Sequence, residues 1–461
     1  MTVDGQKKET IRQTEALLHW ASNFCMEDIP DPVLRKAVLV LGDELGAMVA
    51  SRNEPEVRCI QNQFFQNSTV SEATVFRGGR ERTDRYSAAP ANAAAANWCE
   101  LDGGYRKTAC HAGLYALPAL LAEAESEGII FGEVLKSLIV SYEVVTRLAR
   151  GWQAPSMTLH PHAIFASVGA ATAVAAARRL DRKCFSNAVT AAATLITVGP
   201  YGHAVKGALI ENMWAASAAW NGMRSVDWAQ CEIGGLESTL YDVYSSALGF
   251  ETHLEQFTAE LGKKWAICDG YHKLFACCQY AHSTVEATLM ALAEMPPDKG
   301  VMDIKYIVVE THELGLTLNN YNPETTLAAR FSIPHIVAAT LCFGHAEIEA
   351  FSSTALTVPE IKRIRKAVEL RKFDPEKPML HDRPARVTIE FNDGSRLVKE
   401  CLSARGGPDR PFSEADILEK ISRYTKDVYP SMASMVSKFL TIDEKYIDTT
   451  WDEHIDNLLE K

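Results

Sequence analysis

The stretch AIFASVGAATAVAAA, Ala163–Ala177, carries no charge over fifteen residues, and its reading decides the fold. A helix that crosses a bilayer needs roughly 20 apolar residues. This run is shorter and is mostly Ala and Gly instead of Leu and Ile. A tightly packed buried helix fits it better, because small side chains let neighbouring helices approach closely. Similar runs recur in AAPANAAAAN (88–97) and MWAASAAW (213–220). The expected architecture is therefore mainly α, with central helices that meet through small side chains.

Working outward, apolar residues keep helical spacing from Thr10 to about Glu260, as in PVLRKAVLVLGDELGAMVAS (32–51) and GEVLKSLIVSYEVVTRLARG (132–151), the latter closed by Gly151. After about Lys264 the period mixes. IKYIVVETHE (304–313) is β-branched and strand-like, TTLAARFSIPHIVAATLCF (325–343) is helical, and ARVTIEFNDGSRLVKEC (385–401) alternates around an Asn-Asp-Gly turn. Val387, Ile389 and Phe391 share one face of that hairpin. SEADILEKISRY (413–424) opens as a capped helix. The expected organisation is an all-helical domain, 1–264, completed by C-terminal helices 413–461, with an inserted α+β domain at 265–412.

Composition narrows the function classes. The 461 residues hold 47 Lys+Arg against 59 Asp+Glu, a formal charge of -12, which argues against a nucleic acid or an anionic membrane as partner. An anionic substrate would need a local basic island. The N-terminus has basic residues but not the apolar core of a signal peptide, so a cytoplasmic protein is expected, with its eleven cysteines reduced.

The segment KLFACCQYAHSTVEA (273–287) places a lysine, two adjacent cysteines and a histidine before an amphipathic helix. Metal ligation favours spacings such as Cys-x-x-Cys, and the chain has none. His160-Pro161-His162, read as extended, would send its imidazoles to opposite faces. No metal is expected. Gly-x-Ser-x-Gly, P-loop and Gly-x-Gly-x-x-Gly motifs are also missing. What remains is His111, His160, Lys206, Lys273 and His282, several of them in Gly- and Pro-punctuated breaks: TACHAG, TLHPHA and YGHAVKGA. A single histidine is more often packed than catalytic, so context has to carry the argument.

KLFACCQYAHSTVEA, TLHPHAIFASVGAATAVAAARRL, YGHAVKG with SAAWNGM, NPETTLAARFSIPHIVAATL and VTIEFNDGS with GGPDRPFSEADILEKI together resemble the MmgE/PrpD family. That family includes 2-methylcitrate dehydratase, cis-aconitate decarboxylase and iminodisuccinate epimerase. The resemblance runs from about Trp20 to beyond Lys420. It implies a large helical domain with a smaller α+β lid, and a homodimer. Carried over residue by residue, it marks His160, His111, Lys206, Lys273 and His282 as catalytic and Asp102 as substrate-binding; Lys107, Thr108, His162 and Tyr321 are further expected substrate contacts. The chain departs from the family pattern at Gly103, Ala112-Gly113, His162 and Gly207, where the family has Asp, Pro-Ser, Thr and Arg.

The shared chemistry explains these residue types. Removing or returning a proton beside a carboxylate needs cations to hold the developing charge, and an imidazole to move the proton. The expected function is thus a cofactor-independent lyase on a small polycarboxylate, with 2-methylcitrate-type dehydration leading. Iminodisuccinate-type epimerisation, cis-aconitate-type decarboxylation and a non-catalytic binding role are the alternatives. His160 is the expected proton-transfer group, Lys273 the expected carboxylate anchor, and Cys277 and Cys278 a packing element.

Overall fold

In the computed structural model, which describes residues 3–66 and 68–460, every residue of the Pro161–Ala177 helix is buried. The helices Ala112–Glu127, Phe131–Gly151, Arg182–Thr194 and Asn212–Gln230 surround it. Small residues make this possible. A side chain on Gly222 would come within 2.7 Å of the Ala171 backbone nitrogen, and one on Gly169 within 2.7 Å of the Tyr115 Cβ. The helices Asp31–Ala50 and Arg85–Trp98 add a further layer. Ile417, Val436 and Trp451, from the C-terminal helices, are buried in this same core. Among the described residues, no helix is long and apolar enough to cross a membrane.

The α+β part is built on a four-stranded sheet in the order Arg396–Cys401, Ala385–Phe391, Ile304–Thr311, Val368–Lys372. The first three strands are mutually antiparallel, and the fourth runs parallel to its neighbour. The hairpin turns at Gly394, whose φ of 84° is the left-handed conformation that favours glycine. Val387, Ile389 and Phe391 are buried, as alternation predicts, against the helices His282–Ala293 and Ile333–Phe343.

This second core is not closed by its own residues. Ala47, Trp98, Leu101 and Tyr201 of the helical part complete it, so the two parts meet along an apolar seam. Ser413 caps the Glu414–Thr425 helix reciprocally with Asp416. That helix carries Lys420, whose Nζ lies 2.6 Å from Asp43 and 2.7 Å from the Leu101 carbonyl. The seam is thereby tied to the loop that follows Trp98.

Candidate active site

That loop runs between two helices and carries Glu100, Asp102 and His111. It is pressed against the chain before Lys273 by a short ladder that pairs Gly104 with Tyr271 and Tyr105 with Gly270. Close approach is what glycine permits here. A side chain on Gly104 would meet the Tyr271 hydroxyl at 2.5 Å, and one on Gly103 would meet the Tyr271 carbonyl oxygen at 2.7 Å. A side chain at Gly103 would therefore crowd the backbone contact that delivers Lys273.

Lys273 is fully buried, with Nζ 3.0 Å from Glu100 Oε2 and 3.4 Å from Asp102 Oδ1. Asp102 turns its other oxygen to His111, whose Nδ1 donates to it. His111 Nε2 then lies 3.5 Å from the Tyr271 hydroxyl, at the wall of a cavity of about 50 Å³. Burial alone would raise the Asp102 pKa, but the charges of Lys273 and His111 hold it at about 2. Burial likewise works against the Lys273 ammonium, but Asp102 and Glu100 outweigh it and keep the amine protonated. Arg383, from the α+β part, also lines the cavity, and burial and the nearby Arg106 lower its pKa.

His160 and His162 stand beside His111 on the same cavity, the His111 and His162 ring centres 4.8 Å apart. Pro161 begins the helix directly, so the two imidazoles do not diverge as an extended segment would make them; their ring centres are 4.3 Å apart. The His160 Nδ1 accepts the His162 backbone N–H at 3.3 Å, capping the helix. This places the His160 proton on Nε2, which faces Glu211 Oε1 at 3.6 Å. His162 Nε2 faces the same oxygen at 3.7 Å, while its Nδ1 meets the Tyr115 hydroxyl at 3.0 Å. Burial and the charges of His111 and Lys273 push His160 down to about 3, and burial with its imidazole neighbours holds His162 well below the ordinary imidazole value. Burial and the charges of Glu100 and Asp102 raise Glu211 well above the carboxylate range, so it is protonated.

Two groups, Asp102–His111–His162 and His160–His162–Glu211, bring three donor atoms within 4.8 Å of one another. Neither offers a free donor set as it stands. Asp102 is engaged by His111 and Lys273, and His160 points a protonated nitrogen at Glu211.

His111, His160, His162 and Lys273 therefore line one cavity, with Asp102 directly behind. Other expected residues stand elsewhere. Lys206 is exposed in the last turn of a short helix, which ends at Gly207 (φ 79°), and is not on the cavity wall. His282 is buried against Phe275, its Nε2 donating to the Cys277 carbonyl at 3.1 Å, and burial lowers it to about 3; its place is structural. Lys107 is exposed and paired with Asp269 at 2.5 Å; Thr108 lines only an outer chamber, and Tyr321 is exposed. Cys277 is buried, whereas Cys278 reaches the cavity with its thiol raised by burial to about 12.

Glu100, Glu211, Tyr271 and Arg383 were missed in the sequence. Glu211 had a usable signal, as the one charged residue between Gly207 and Met223. Glu100 adopts φ 55°, and Arg383 arrives from a distant loop, which no local pattern announces.

Family models described as the MmgE/PrpD N-terminal domain and the MmgE/PrpD C-terminal domain match residues 15–254 and 275–441. The cis-aconitate decarboxylase-like protein oryM of Aspergillus oryzae is 26% identical over 453 residues, covering 91% of each chain. Two cis-aconitate decarboxylases of Aspergillus terreus are 24% and 25% identical over 440 and 441 residues, covering 88% of each chain.

The buried imidazoles make stability sensitive to acid. His160 and His282 stand near 3, and His272, His312 and His335 near 4, all lowered chiefly by burial. The unfolded chain takes up these protons first, from about pH 6.5. Stability is thus full above pH 6.5 and falls as the pH drops toward 4, by on the order of 1 kcal/mol per histidine per pH unit. Thermal denaturation at pH 7.5 and 5.5 should show a clearly lower Tm at 5.5; equal values would contradict the neutral buried histidines.

Proposed function

The chain belongs to the MmgE/PrpD family, and from that premise we propose that it is a lyase that moves a proton next to a carboxylate of a di- or tricarboxylic acid. Decarboxylation of a cis-aconitate-type acid is the leading reaction, without a cofactor. One observation carries the reading: Asp102 joins the buried Lys273 ammonium and the His111 imidazole at one cavity wall.

In such an acid the C–C bond to one carboxylate breaks and CO2 leaves; the freed electron pair forms a new double bond to the central carbon, and the existing π pair shifts to the carbon beside a second carboxylate. A proton then reaches the carbon beside a second carboxylate. Lys273 and Arg383 hold the retained carboxylates and offset the growing charge. His111, oriented through Nδ1 by Asp102, delivers the proton from Nε2. His160, the expected proton carrier, fits this role less well, because its Nδ1 caps a helix and its Nε2 faces Glu211. Dehydration needs a further acid for the departing hydroxide. The neutral Glu211 would be the candidate, but it lies behind the imidazoles and off the cavity wall. That favours decarboxylation. Epimerisation needs acid and base on opposite faces of one carbon, whereas His111, His162 and His160 form one contiguous group, with ring centres 4.8 and 4.3 Å apart.

The proposal also makes the working unit a homodimer. Val198, Ile210, Ile233 and Leu236 are all more than half exposed within one short stretch of chain, which supports a covered face there. Light scattering should give about twice the 50.8 kDa chain mass, and a monomer at micromolar concentration would contradict it.

Proton NMR in deuterium oxide with cis-aconitate, 2-methylcitrate and iminodisuccinate tests the reaction. Decarboxylation with one solvent deuteron in the product is expected, and His111→Asn should lower the rate by about 10²–10⁴-fold. Turnover of 2-methylcitrate alone, or a His111→Asn rate within tenfold of the native enzyme, would overturn this assignment.

A further inference from the structure

The cavity that holds Lys273 and His111 is about 50 Å³, whereas small-molecule sites usually span about 300–1,000 Å³. A second chamber of about 280 Å³ adjoins it, and the two share Ala109, Met157, Pro161, Tyr280 and Arg383 among their lining residues. The chemistry changes across these shared residues. On the inner side stand the buried ammonium and the imidazoles. On the outer side Trp152, Leu159, Ile164, Phe165 and Phe250 form an apolar stretch of the wall, beside Thr108, Gln153 and Ser156.

This apolar wall is rigid. Trp152 lies 4.9 Å from Tyr244 in a stacked arrangement and 4.7 Å from Phe257, and Phe165 stacks on the other neighbour of that group, 5.4 Å from Tyr244. The indole nitrogen of Trp152 donates to Ser245 Oγ at 2.9 Å, so its one polar atom is already satisfied. The cations of the outer chamber are also neutralised: Arg106 pairs with Asp382 and Lys107 with Asp269, each at 2.5 Å. Only Arg383 lies at the junction without a carboxylate within 3.5 Å; its nearest is Asp382, at 3.9 Å. Beyond Arg383 at the junction, a bare polycarboxylate finds no unpaired cation in the outer chamber.

We infer that the acid this site accepts carries a hydrophobic arm, an alkyl or aryl substituent. The arm lies in the outer chamber, while the carboxylates reach Arg383 and the inner cavity. The inference rests on the carboxylate-lyase reading for the head group, and on the second chamber for the arm. The substrate class is a substituted di- or tricarboxylate, longer than cis-aconitate by a chain of several carbons.

Calorimetric titration of the full chain with 2-alkylsuccinates, methyl to hexyl, tests it, because these acids bind without reacting. Affinity should rise by about threefold for each methylene that leaves water. Ala154→Trp, on the loop wall of the outer chamber, should abolish that rise while changing methylsuccinate affinity less than twofold. A flat or falling series, no binding by any member, or a rise that persists in Ala154→Trp would overturn the inference. Turnover is read separately. A rising series without decarboxylation of any unsaturated analogue would sink the lyase reading and leave the arm site standing, whereas decarboxylation with a flat series would do the reverse.

Discussion

Everything at the site hangs on one carboxylate. Asp102 is fully buried, and each of its oxygens is committed: one to Lys273, from the chain that leads into the α+β part, and one to His111, from the loop of the helical part. An unpaired ammonium at the position of Lys273 would be costly, since a charge taken out of water needs a close counter-charge. The pair therefore serves the fold and the chemistry together. It sets the separation of the two halves at the seam and aims the free nitrogen of His111 at the cavity. Glu100 adds a second negative partner to the lysine, which leaves the local cluster acidic enough to keep that amine charged through any working pH.

Close backbone approach makes that carboxylate available. Gly103 and Gly104 let the Tyr271 segment lie against the loop, and the central Ala-rich helix brings His160 and His162 next to His111 at the same cavity. A second buried pair, Asp43 with Lys420, binds the C-terminal helix to the same loop through the Leu101 carbonyl. His272, next to Lys273 in the chain, also contacts Asp43 through Nδ1, at 2.8 Å. The two carboxylates thus hold the two residues just past the Gly270–Tyr271 strand, which explains how a two-residue ladder can fix the position of a buried amine.

Much of the architecture was legible because it follows from periodicity. The Ala-rich run at 163–177, the alternation at 385–401 and the capping pattern at Ser413 each encode a local structure that packing did not override. The site was legible only where local sequence and tertiary placement coincide, as at His111, His160 and Lys273. Lys206 sits in a Gly-punctuated break of the kind that marks clefts, but its short helix turns it to solvent. The His-Pro-His segment was misjudged because an alternating backbone was assumed where Pro161 starts a helix and brings both rings together. Arg383 and Glu211 depend on long-range assembly, and nothing within a few residues of either reveals which cavity it will reach.

The most direct test of the account is a double-mutant cycle on stability with Asp102→Asn and Lys273→Met, unfolding free energies being measured in urea. If the two charges hold one another in a dry interior, each single change should cost about 3 kcal/mol or more, because it strands the partner. The double variant should then be no less stable than either single one, giving a coupling of about 3 kcal/mol or more. Additive losses, with coupling below about 0.5 kcal/mol, would mean that Asp102 and Lys273 do not depend on each other, and would contradict the central claim.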